Sequence, residues 1–166
     1  MGYDGLLMEL PKGVKWFVAT FVLVLSIGFY TGLLFVSETS TSSPMGIEEN
    51  YLGNEEDEDA EVMKFKKGER EMLTIIHTHI LSMSLIFFLL GGLVWLTKLP
   101  QKIKMFLTIE PFLSVVFTFG GIYLMWSGIL WMKYVVIFSG FLMTLTFSIA
   151  ALLVVYQLCQ KSVRVN

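Results

Sequence analysis

The sequence predicts an all-α polytopic membrane protein, with four transmembrane helices in an up-down bundle. Three observations predict it. Apolar residues make up 55% of 166 positions and charged ones only 16%, with a mean hydropathy of +0.69. A soluble domain of this size cannot bury so much apolar surface. Four segments reach the roughly 20 apolar residues needed to cross the hydrocarbon as a helix: Val14 to Val36, Thr74 to Leu96, Pro111 to Leu130 and Tyr134 to Leu158. Finally, charge is segregated, with eleven of the fourteen acids lying between Glu38 and Glu71. One membrane domain accounts for the whole length.

The first span, residues 14–36, has a competing reading as a cleaved signal peptide. Its apolar run is longer than a signal core, and no small-x-small site follows it, so a retained helix is expected. It carries Gly28 and Gly32 on one face, a spacing that permits close approach of another helix or a flat ligand. Residues 37–72 form the acidic extracytoplasmic loop. Ser37 to Ser43 reads as an extended linker ending at Pro44. The run from Asn54 to Asp59 reads as a solvated charge block, lacking the ligand spacing and turn glycine of an EF-hand. Lys64 to Glu71 alternates in charge and leads into the second helix.

Lys98 to Ile109 is expected to be an interfacial connection, its lysines at the headgroups. Pro111 suits the first turn of the third helix, where Glu110 or Thr108 would cap the open amides. Glu110 is the one acid close to a span interior, read either as a proton acceptor or as a helix-start carboxylate beside Lys104. The alternative is a helix starting near Gln101 with a kink at Pro111. The two helical hairpins differ too much in loop length and polar content to be an inverted repeat.

With an even number of spans, both termini and the middle loop share one side. That side holds Lys12, Lys15, Lys98, Lys102, Lys104, Lys161 and Arg164. The positive-inside rule places it in the cytoplasm. Trp16 and Trp95 then lie near the inner interface, Trp126 and Trp131 near the outer one. Cys159, the sole cysteine, excludes an internal disulfide and reads as packing.

The second span opens on His77-Thr78-His79, which holds both histidines of the chain. Ionisable groups in a span are costly and mark function by default. On a helix the two rings are roughly 200° apart, so they cannot share one ion without unwinding. His77 shares a small, polar stripe with Ser84 and Gly91, expected to face neighbouring helices. His79 shares an apolar stripe with Met72, Met83, Ile86 and Leu90, expected to face lipid, a partner subunit or a metal. His77 lies about 6 Å and His79 about 9 Å below the outer boundary. Tyr30, Tyr123 and Ser139 fall at similar depth, so a shallow pocket with His77 is a candidate cofactor-binding site.

Three readings of the histidines compete. They are structural groups bonded to a neighbouring hydroxyl or carbonyl. They are metal ligands, His77 or His79 holding haem b or copper with Met83 and Met72 as soft donors. Or His77 is a proton-relay or quinone contact of a respiratory complex. No G-x-S-x-G, H-E-x-x-H, phosphate-cradling loop or cysteine pair is present. An enzyme is therefore not the expected class, and no nucleic-acid partner is expected. Glu71 to Leu96, with His77-Thr78-His79, Leu81, Ser82 and Phe87-Phe88-Leu89, resembles small, uncharacterised four-helix bacterial inner-membrane proteins. In those a His-x-His opens an apolar helix that ends near a glycine. The resemblance implies four membrane helices and a bacterial inner membrane, and it transfers no activity. The expected role is a small non-catalytic subunit or assembly partner of a larger membrane complex, in contact with the bilayer and with other subunits or a second copy. The alternative is a haem- or copper-binding electron-transfer subunit.

Overall fold

The computed structural model describes residues 4–38, 43–55, 60 and 62–160. The acidic run 56–59, part of the Ser/Thr-rich stretch (39–42), and Lys161 and Arg164 lie outside them. Among the described residues every element is helical: α1 Leu6–Glu9, α2 Lys12–Glu38, α3 Pro44–Leu52, α4 Glu69–Trp95, α5 Gln101–Trp126 and α6 Met132–Cys159. Four of them (α2, α4, α5 and α6) are long and apolar enough to cross a membrane. They alternate in direction.

Helix α5 differs from its expected limits. It starts at Gln101, so Pro111 lies inside it and Glu110 is not a helix-start residue. Membrane helices tolerate an internal proline because neighbouring groups satisfy what it frees. The lysines of this connection are not all at the surface either. Lys104 is fully buried, paired with Asp4 and donating to the Trp95 carbonyl at 3.0 Å.

The interior runs along α4, α5 and α6. Thr118 Oγ1 and Ser139 Oγ lie 2.7 Å apart, which fixes the antiparallel register of α5 on α6. Gly91 meets Thr108 where α4 crosses α5, and a Cβ there would sit 3.3 Å from Cγ2. Helix α2 is attached more loosely, burying only Val22 and Phe29. Phe29 stacks on Phe147 at 3.9 Å, and Phe87 of α4 meets both rings edge-on. Tyr30 shares a 2.8 Å hydrogen bond with Ser148. Gly28 and Gly32 have open space beside them, so their expected close approach is not made to any described residue of this chain.

Each end of the bundle is closed. At the end shared by α1 and the α4–α5 turn, Leu7 is fully buried and its amide donates to the Leu96 carbonyl at 3.2 Å. Gln157 Oε1 accepts from the Lys98 amide at 2.7 Å, and Lys15 donates to the Gln160 carbonyl at 2.8 Å. At the opposite end α3 lies across α5 and α6; of the linker expected over Ser37 to Ser43, the first two residues belong to α2 and Ser43 caps α3. Ser43 caps the Gly46 amide at 2.9 Å and Pro44 occupies the first turn, a pairing that starts helices. Glu48 accepts from Lys133 at 2.5 Å. Gly53 takes the left-handed φ of 86°, and a Cβ there would meet the Lys64 carbonyl and the Lys66 amide at 2.8 Å. That turn lets Asn54 bind Val62 and Lys64. Trp126 Nε1 then donates to the Lys67 carbonyl at 2.8 Å, tying the loop to α5.

Burial pushes the Tyr51 hydroxyl of α3 above its ordinary 10.0. The raised folded-state value sets the sign: the stabilisation is complete below pH 10.0 and is lost as pH climbs through the folded value. Alkali is therefore expected to loosen the α3 cap. In a phenolate-absorbance titration Tyr51→Phe should remove a component that ionises above pH 10.0. Superimposable curves for the two proteins would refute this.

Candidate functional site

The second membrane helix, α4, was expected to turn its His77 stripe inward and its His79 stripe outward. The structure reverses the second half of that. Met72 and Leu90 are buried, and Met83 and Ile86 are half-buried against the core. His79 itself remains exposed, but its ring stacks on Phe119 of α5 at 4.8 Å and 28°. The reason is the solvent. In lipid an apolar stripe gains nothing by facing outward, so packing shape rather than polarity chooses the face. On the other stripe Gly91 is buried as expected, while His77, Thr74 and Gly92 are exposed.

The His79 ring is oriented by its own helix. Nδ1 lies 2.7 Å from the Ile75 carbonyl. A carbonyl only accepts, so Nδ1 carries the hydrogen and Nε2 of the neutral ring keeps its lone pair. Metal-binding histidines commonly have such an arrangement. The remaining donors do not gather around it. Among the described residues no group of three His, Cys, Asp or Glu side chains is placed to hold a metal ion.

The shallow pocket expected from His77, Tyr30, Tyr123 and Ser139 is not assembled. Tyr30 is bonded to Ser148, and Ser139 to Thr118 and to the Val135 carbonyl. Tyr123 packs beside Trp126 at 5.8 Å. Near His77 the described surface shows an open depression at Gly68, Arg70, Glu71, Thr74 and Ile75. What His77, Thr78 and Ser82 do share is exposure on α4, a helix long and apolar enough to cross a membrane. The Thr74 and Ser82 hydroxyls turn back to carbonyls of the same helix, of Arg70 and Thr78, both at 2.8 Å.

A polar seam also runs through the middle of the bundle, and sequence reasoning gave it little weight. Glu110, Ser114 and Thr118 succeed one another at helical spacing on α5, all buried, and Thr118 reaches Ser139 of α6. Ser114 donates to Glu110 Oε1. The signal was present: residues four apart along a helix share a face. Reading Pro111 as a helix start separated Glu110 from the other two.

A family model described as a transmembrane helical domain, Aq_1264_TM, matches residues 41–164. The chain belongs to that family. The Aq_1264_TM match spans α3 to α6, the cap and the three helices that pack most closely, and begins after α2. It makes the chain an integral membrane protein. Comparison with curated proteins gives no match, and neither does comparison with solved structures.

Proposed function

We propose that this protein is a small non-catalytic subunit or assembly partner of a larger complex in a bacterial inner membrane. Its termini face the cytoplasm, and α4 provides its docking side. One observation carries the reading: His77, Thr78 and Ser82 are exposed on α4 where lipid would surround them. Polar and small groups on a membrane helix are what neighbouring helices use for close packing and hydrogen bonding. Only 11% of the apolar window of α4 is buried within this chain, against 50% for α5, so α4 has most of its surface left for a partner. The orientation rests on Lys12, Lys15, Lys98 and Lys102 at the shared end of the helices, following the positive-inside rule.

Photo-crosslinking in intact membranes tests it. A photoreactive residue at Thr78 is expected to give discrete protein adducts. The same probe at Leu113, an exposed apolar position of α5, is expected to give lipid adducts. If Thr78 labels lipid alone, the proposal fails.

A second reading is favoured by the orientation of His79, whose Nε2 is left free. It makes the chain an electron-transfer subunit in which that nitrogen ligates haem b or copper. The described residues supply one nitrogen and no convergent second ligand, so the other ligand would come from the partner. A reducible Soret band or stoichiometric copper that disappears in His79→Ala, but survives in His77→Ala, supports this reading over the first.

A further inference from the structure

We propose that residues 62–67, a strap outside the four membrane helices, anchor the protein at the membrane surface, with Met63 and Phe65 seated at the boundary between lipid headgroups and acyl chains. Phe65 is 70% exposed and Met63 53% exposed, although the chain around them is held in place. The Asn54 side chain donates to the Val62 carbonyl at 3.0 Å and accepts from the Lys64 amide at 2.6 Å. The Asn54 amide donates to the Lys64 carbonyl at 3.0 Å, and the Lys67 amide to the Tyr51 carbonyl at 3.1 Å. Alternate positions turn back to the protein: Lys64 pairs with Glu49 at 3.6 Å, and Lys66 lies over the Trp126 ring at 5.1 Å. Met63 and Phe65 are left uncovered.

Lipid is the occupant because the strap continues a bilayer contact that the spans already make. Trp126 is the last residue of α5, a helix long and apolar enough to cross a membrane. Its indole donates to the Lys67 carbonyl at 2.8 Å, which ties the strap to the end of that helix. The turn that follows and the start of α6 expose Ile129, Leu130, Trp131 and Tyr134 at the same end. Trp and Tyr gather at the headgroup level, where an amphipathic ring meets both of its solvents. Apolar side chains held at that level gain by entering the acyl boundary, as the apolar faces of interfacial helices do.

Charge complements the apolar pair. Lys66 forms no ion pair with a carboxylate among the described residues. A lysine stem lies along apolar surface while its ammonium stays at the polar edge, so Lys66 can meet a lipid phosphate beside the ring it covers. The strap precedes α4, and its anchoring does not depend on the partner proposed for that helix.

The test uses the full-length protein with Cys159→Ser and a nitroxide on Met63→Cys or Phe65→Cys, reconstituted alone in phosphatidylcholine vesicles. Power saturation compares collisions with oxygen, which concentrates in lipid, and with a nickel chelate, which stays in water. Oxygen is expected to dominate at both positions, and the chelate at Glu55→Cys, an exposed polar position of the same loop. Dominance of the chelate at 63 and 65 places them in water and overturns the proposal. Poor access to both reagents means that a second copy covers them, which overturns it too. A second measurement uses the unmodified protein and needs no variant to fold. Phosphatidylcholine with a diazirine at the headgroup end of its acyl chain is expected to label 62–67 as well as 129–131. Label on 129–131 with none on 62–67 overturns the proposal.

Discussion

Gly121→Leu is expected to separate α5 from α6 and to lower the stability of the bundle. A Cβ at this position would sit 2.9 Å from Val136 Cγ2, a distance that real contacts essentially never show. Val136 is buried and β-branched, so its methyl has no free rotamer to retreat into. Overpacking of this kind typically costs about 1–3 kcal/mol for small additions, and leucine adds three carbons beyond the Cβ. Gly120 supplies the control. A Cβ there meets nothing within 4 Å, so Gly120→Ala should be neutral or gain up to about 1 kcal/mol from helix propensity. Unfolding in mixed micelles, followed by circular dichroism, compares the two. Equal midpoints for Gly121→Leu and Gly120→Ala would contradict the α5–α6 contact as described.

Phe147→Ala is expected to release α2 while α4, α5 and α6 stay together. Phe147 is fully buried and stacked on Phe29, one of two buried residues that hold α2. Truncation of a buried phenylalanine costs about 3–5 kcal/mol in water-soluble cores. Lipid tails are as apolar as the core they would replace, so the loss here comes from missing ring contacts rather than from exposure to water. Spin labels at Gly28 on α2 and Thr144 on α6 report the separation of those helices. A broadened, longer distance in Phe147→Ala with unchanged distances between α4 and α5 is the expected result. A unit that unfolds as a whole would show that α2 is integral to the core, contrary to its sparse burial.

The spans were legible because length and hydropathy are local properties. Four apolar segments in the sequence correspond to α2, α4, α5 and α6 in the structure. What depended on partners far along the chain was not legible. Lys104 reads as a headgroup lysine until Asp4 arrives from the N-terminal segment to pair with it. The stripe of Met72, Met83, Ile86 and Leu90 reads equally well as lipid-facing or interior, because both environments are apolar. Only the fit against α5 decides between them. Helix α3 was missed for a different reason. The Ser/Thr-rich composition before Pro44 suggested an extended chain, and the short helix start at Ser43 and Pro44 was subsumed in it. The Glu110 seam could have been found by spacing alone, had α5 been drawn through Pro111.

The closure made by Leu7, Leu96, Asp4 and Lys104 carries a consequence for biogenesis. Leu7 meets the turn after α4, and Asp4 meets α5, so segments made first must wait at the membrane for segments made later. The base of the nascent bundle stays ajar until translation has passed those positions. Its seal can therefore form only once α4 and the first turn of α5 have been made.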